Sequence, residues 1–218
     1  MEIKMRKALM ILAALLLGWP AFAAPEQSSL TETNLAPEQT EANYTHAIEG
    51  RTADILKVLG LSDTNQATKV HDVIMAQYRA LKAWHEANDA KLKASRGDTN
   101  VVAQIRGSLK SLHNEFIANL SASLTPEQVE KVKDKTTYGK VQFTYGGYLA
   151  AYPDLTDQHK QKILELLKQA REEAMDGGSA DEKTAIFQKY KGKINNYLSQ
   201  QGIHPNKPKP VVKPATDQ

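Results

Sequence analysis

The chain has 218 residues, with 28 Lys and Arg against 25 Asp and Glu for a formal net charge of +3, and no cysteine. Without cysteine, disulfides, thiol nucleophiles and thiolate metal sites are excluded, so stability rests on an apolar core that this length suffices to build. Nearly balanced charge with no run of Lys and Arg excludes a phosphate-tracking surface, and nucleic acid as partner with it.

At the N-terminus Lys4, Arg6 and Lys7 precede the apolar run ALMILAALLLGW, and Ala21-Phe22-Ala23 places small residues where signal peptidase reads. That order predicts a secretory signal peptide over 1–23. The apolar run is about a dozen residues, short of the ~20 a spanning helix needs, so no membrane span is expected after cleavage and the expected location is periplasmic or secreted. Cleavage also removes Glu2, Lys4, Arg6 and Lys7, which leaves the remainder close to neutral. Residues 24–37, polar and without apolar periodicity, read as a disordered linker.

A helical domain is expected over 38–203. Its first helix runs over roughly Glu38–Leu59 and stops at Gly60. Val70, Ile74, Leu81 and Leu92 then repeat at helical spacing, as do Val102, Ile105, Leu109, Leu112, Phe116 and Leu120. Arg96-Gly97-Asp98 separates the two as a helix stop followed by an N-cap, predicting a helical hairpin. Leu61-Ser62-Asp63, Leu124-Thr125-Pro126-Glu127-Gln128 and Leu155-Thr156-Asp157-Gln158 each set a leucine before a capping Ser or Thr, the pattern of a hydrophobic staple with an N-cap. Ile163, Leu166, Leu167, Ala170 and Ala174 mark a later helix. Met175–Ser179 is turn chemistry with Ser179 as the next cap, and Ile186, Phe187, Tyr190, Ile194 and Leu198 mark the last helix. No alternating strand pattern of convincing length occurs, and the fold class expected is all-α, a single antiparallel helical bundle-like domain with a Tyr/Gly-rich inter-helix corner. From His204 onward, four prolines among lysines predict a disordered extended tail over 204–218, read as a solvated spacer.

The corner is TTYGKVQFTYGGY, Thr136–Tyr148, in which Thr-Tyr-Gly occurs twice. Gly139, Gly146 and Gly147 permit tight turns there. Tyr138, Tyr145, Tyr148 and Tyr152 crowd the segment. Such rings either plug gaps between helices, the commoner use of a buried aromatic, or line a pocket between helices; one corner can do both. Gly192, in YKGKINNYL, interrupts the last helix at a cost of about 1 kcal/mol relative to alanine. A glycine in such a place allows another backbone or ring to pack close, so the corner is expected over Gly192. Lys191, Lys193 and Asn195 would then flank Tyr138, Tyr145 and Tyr148 and donate to a hydroxyl-rich ligand. The alternative is tight helix–corner packing with surface lysines.

Other constellations read as structural. His85-Glu86-x-x-Asp89 is a degenerate zinc-type spacing that lacks a second His and a third ligand, and is read as an exposed polar helix face, with no metal and no cofactor expected. His71 and His85 lie fourteen residues apart along one helix face, where a lone histidine reads as a core or boundary residue. The adjacent Arg171, Glu172 and Glu173 point about 100° apart on a helix, so the two carboxylates do not flank one bond. No nucleophile elbow, phosphate loop or dinucleotide fingerprint appears, so catalysis has no support and no catalytic residue is assigned.

The blocks LTPEQVEKVKDKTTYGKV, TYGGYL, REEAMDGGS and YKGKINNYL, with the segment LGLSDTNQATKVHDVIMAQYRALKAWHEANDAKL, resemble a secreted bacterial family of unknown function. The resemblance covers most of 50–200 and departs at Thr136, where methionine is expected. That family is found in polysaccharide-degrading bacteria and is provisionally labelled sugar-binding. The resemblance implies a saccharide partner and a non-catalytic binding or accessory role, but carries over no catalytic residues. A second resemblance, of LTPEQ to the LTxxQ signature of small periplasmic stress chaperones, implies instead a protein partner and an exposed apolar groove. The third reading is an uncharacterised glycan-active enzyme.

Overall fold

The computed structural model describes residues 37–205. The expected leader over 1–23, the linker up to residue 36 and the tail beyond 205 lie outside the described residues. By compactness the chain divides into Met1–Thr40 and Glu41–Gln218, and the packing below is that of the second unit. The described residues form seven α-helices and no strand: α1 (Pro37–Leu59), α2 (Thr64–Ala94), α3 (Thr99–Ser121), α4 (Pro126–Thr136), α5 (Lys140–Ala151), α6 (Asp157–Met175) and α7 (Ala180–Gln200). Among the described residues no helix is long and apolar enough to cross a membrane.

Local chemistry sets most of the boundaries. Gly60 adopts φ +61°, left-handed backbone that glycine reaches without steric cost, and ends α1. Asp98 caps α3 by accepting from the amides of Asn100 (3.0 Å) and Val101 (3.1 Å). Thr125 and Gln128 form a reciprocal capping box ahead of α4 with Pro126 in the first turn, Thr156 and His159 do the same for α6, and Ser179 caps α7. The first motif corrects the expected pattern by one residue. Asp63, not Ser62, caps α2, since its carboxylate reaches the amides of Asn65 (2.7 Å) and Gln66 (3.1 Å).

The cap leucines are anchors into two distinct cores. Leu155 is buried with Val141 and Tyr148 of α5, Ile163, Leu167 and Ala170 of α6, and Phe187, Ile194 and Leu198 of α7. Leu124 is buried with Ile55 and Leu59 of α1, Val70 and Ile74 of α2, Phe116 and Leu120 of α3, and Val129 and Val132 of α4. Met175, the last residue of α6, belongs to this second cluster, so α6 ties the two together. Each such aliphatic side chain contributes roughly 1.5–3 kcal/mol on burial. Around α1 the packing is completed by Thr52, whose hydroxyl donates to Ile48 O (2.8 Å) and to Met75 Sδ (3.3 Å).

Candidate functional site: a tyrosine-lined cleft

The Tyr/Gly segment is a corner over only half of its length. Thr137-Tyr138-Gly139 turns the chain between α4 and α5, with Tyr138 at φ 60° and Gly139 at φ 63°. The second Thr-Tyr-Gly lies inside α5, so Gly146 and Gly147 are helical rather than turn residues. Tyr138 is the one non-glycine residue with positive φ among the described residues, a conformation that costs a tyrosine on the order of 1–2 kcal/mol. With two left-handed residues in succession, Tyr138 is 49 % exposed.

The expected site residues separate. Tyr148 is buried, and its hydroxyl donates to Asn195 Oδ1 (2.8 Å) and approaches Lys191 O at 3.2 Å; burial pushes its pKa up to about 12. Its ring stacks on Tyr152 at 5.9 Å, and these residues with Phe143 line a groove of about 430 Å³. Tyr145 is half-buried against the α5–α6–α7 core. Lys193 lies over the ring of Tyr190, 4.0 Å from its centroid. Tyr138 lines a different cavity altogether. The expected packing over Gly192 is also corrected: α5 meets α7 at Lys191 and Asn195, while a side chain at 192 would project into open space.

Tyr138 belongs to a cleft of about 550 Å³ between α1, α2 and the start of α7. Tyr44 and Arg51 of α1, Tyr78, Lys82 and His85 of α2, and Lys183 of α7 share its wall. Arg51, Tyr78 and Tyr138 also line a second cleft of about 490 Å³, so they stand where two cavities share a wall. The Tyr44 hydroxyl donates to Tyr78 O (2.7 Å), and Lys82 sits 5.4 Å from the centroid of the Tyr44 ring. Burial pushes the Tyr78 hydroxyl up to about 12, which keeps it a neutral donor. Neither the Tyr78 nor the Tyr138 hydroxyl has a hydrogen-bond partner among the described residues.

The close-approach glycines are in the α6–α7 loop. A Cβ on Gly178 would lie 2.8 Å from the His85 ring, and one on Gly177 would lie 3.1 Å from Cγ of Lys183. Their absence lets both side chains reach inward. His85 is 8 % exposed, a core histidine rather than part of an exposed polar face, and its ring nitrogens hydrogen-bond with Asp89 Oδ1 (2.9 Å) and Asp176 O (2.8 Å). Burial opposes charge on this ring, but those two hydrogen bonds outweigh it and its pKa is raised. Lys183 is 6 % exposed and donates to Thr136 O (3.1 Å) and Met175 O (3.5 Å); burial, reinforced by the Arg51 guanidinium, brings its pKa down to about 8.

Below the loop lies an ion network. Arg171 of α6 is buried and donates to Asp134 Oδ1 (2.6 Å) and Glu130 Oε2 (2.7 Å) of α4. Glu172 takes Lys133 at 3.0 Å and lies 3.5 Å from His113, whose other ring nitrogen hydrogen-bonds with Asp176 Oδ1 (2.8 Å). Hydrogen bonds to Asp176 and Glu172 raise His113 to about 9. Burial would raise Glu172, but His113, Lys133 and Arg171 outweigh it and hold it at about 2. Among the described residues no group of three or more His, Asp or Glu is arranged to hold a metal ion.

Sequence reasoning missed Tyr44, Arg51, Tyr78 and Lys183. Lys183 did carry a signal: with Phe187, Tyr190, Ile194 and Leu198 it occupies a core-facing stripe at three- and four-residue spacing, where a lysine is out of place. No curated protein matches the sequence. Over residues 45–210, well beyond half of the chain, it matches the model of a family described as a protein of unknown function (DUF3826), and the chain belongs to that family.

Proposed function

We propose that the protein is an exported, non-catalytic carbohydrate-binding or accessory protein, and that the Tyr44–Tyr78–Tyr138 cleft is its binding site. One observation carries this reading: Tyr138 is held in left-handed backbone, half-exposed, and lines an open cleft. Such strain persists where the surroundings hold it and the ring has a use. A tyrosine face covers the C–H surface of a pyranose, and its hydroxyl, unpartnered here, completes hydrogen bonds to sugar hydroxyls. The volume, about 550 Å³, lies in the range of small-ligand clefts.

The test is a glycan array with Tyr138→Asn beside the parent protein. Asparagine tolerates left-handed backbone, so the variant is expected to keep its stability to within about 1 kcal/mol while losing at least tenfold in affinity for whichever saccharide the parent binds. A parent protein that retains no glycan ends the reading. A chaperone-like role in binding unfolded protein draws on a separate observation, Phe143 at 84 % exposure beside the α5–α7 groove. It requires that the protein suppress aggregation of a denatured client and that Phe143→Ser abolish the effect.

A further inference from the structure

Resting on that reading, we propose that the cleft selects acidic saccharides, seating a uronate carboxylate between the guanidinium of Arg51 and the ammonium of Lys183. The two residues share one wall, and among the described residues neither forms an ion pair, although Asp176 and Glu182 act on Lys183 from farther away. Other cations that are partly or fully buried are matched: Lys82 with Glu86 (2.8 Å), Lys133 with Glu172 (3.0 Å) and Arg171 with Asp134 (2.6 Å). Arg51 has no carboxylate partner among the described residues, and Lys183 meets only two main-chain carbonyls. A buried ammonium without a carboxylate bears a desolvation cost that an incoming anion relieves.

The remaining cleft groups narrow the anion. Glu86 and Asp89 also line the cleft, tied to Lys82 and His85. They disfavour a dianionic phosphate and leave room for one carboxylate. Tyr44, Tyr78 and Tyr138 supply ring faces and hydroxyls for the sugar that bears it. Arg51 presents the planar fork that pairs with a carboxylate through two parallel hydrogen bonds.

Protonation of Lys183 follows from the same arrangement. Facing it are Arg51 from α1, Tyr78 and His85 from α2, Tyr138 from the α4–α5 turn, Asp176 from the α6–α7 loop and Glu182 on its own helix. With its pKa brought to about 8, the ammonium is mostly charged at pH 7 and mostly neutral at pH 9. Affinity for a carboxylate is therefore expected to fall about tenfold over that interval.

The experiment is calorimetry at constant ionic strength with oligogalacturonate, oligoglucuronate and oligomannuronate, each beside the same oligosaccharide carboxyl-reduced to neutral hexose. At least one acid should bind at least tenfold tighter than its reduced form. Arg51→Gln, an exposed substitution that leaves the core untouched, should remove that preference. Lys183→Met should remove it together with the loss of affinity between pH 7 and pH 9. Equal binding of acid and reduced forms, or binding only of neutral glycans on the array, overturns the acidic preference and leaves the carbohydrate reading standing. Inorganic phosphate displacing the uronate at equal concentration also overturns the preference. Absence of binding to every glycan overturns both.

Discussion

Gly178, in the α6–α7 loop, is approached closely by a neighbouring ring, whereas Gly192, where the sequence suggested close approach, has open space beside it. Gly178 packs beneath the His85 ring, and that ring is fixed by hydrogen bonds at both nitrogens, so it yields only by giving one up. Gly178→Ala is expected to cost about 1–3 kcal/mol in urea unfolding. Gly192 sits in the interior of α7 with nothing near its missing side chain. Gly192→Ala is therefore expected to stabilise by up to about 1 kcal/mol through helix propensity alone. A loss on Gly192→Ala would restore the close packing that the sequence suggested. Tyr138 is a third special backbone position, and its side chain faces a cleft rather than a core.

At the scale of elements, α6 does the joining. Its apolar stripe enters the α5–α7 core, Met175 enters the other, and Arg171 reaches across to α4. Removing one partner of a buried ion pair costs more than the pair contributes, because the remaining charges lose their compensation. Glu130 and Asp134 retain solvent contact, which softens that penalty. Arg171→Met is expected to lower stability by about 2–3 kcal/mol, read as a shift in the urea midpoint at unchanged slope. A steeper or shallower slope would mean instead that α4 has detached in the variant. The sequence carried a trace of this contact, since Arg171 stands one turn after Leu167 on an otherwise apolar face.

For the whole molecule, the two most strongly shifted bases, His113 and Lys183, dominate how stability changes above neutrality, and they act in opposite directions. His113 has its folded pKa raised to about 9, against ~6.5 unfolded. Its contribution is fully present below pH ~6.5 and is lost as pH rises through 9, on the order of 2–3 kcal/mol. Lys183 has its folded pKa lowered to about 8, against ~10.4 unfolded, so its burial weakens the fold below pH 8 and ceases to do so toward pH ~10.4. Melting temperature followed from pH 6 to pH 10 should fall between 7 and 9. His113→Asn should flatten that fall, and Lys183→Met should remove the compensating rise above 8. A His113→Asn profile parallel to that of the parent protein would show that His113 does not titrate with folding.

By itself the sequence determined most of the helices and most of their ends; α5, expected as part of a corner, is the exception. Caps, a helix-stop glycine and 3.6-residue periodicity act over a handful of neighbouring residues, so Asp98, Thr125, Thr156 and Ser179 were legible one position at a time. The tertiary structure alone decided which side chains share a cavity. His85 meets Asp176 across 91 positions and Lys183 meets Thr136 across 47, separations that no local pattern encodes. Tyr138 and Tyr148 stand ten positions apart on either side of Gly139, and the turn there together with α5 sends them to different cavities. The residues of the cleft come from α1, α2, the α4–α5 turn, the α6–α7 loop and α7. Only packing, driven by burial of two apolar clusters, brings them to one wall.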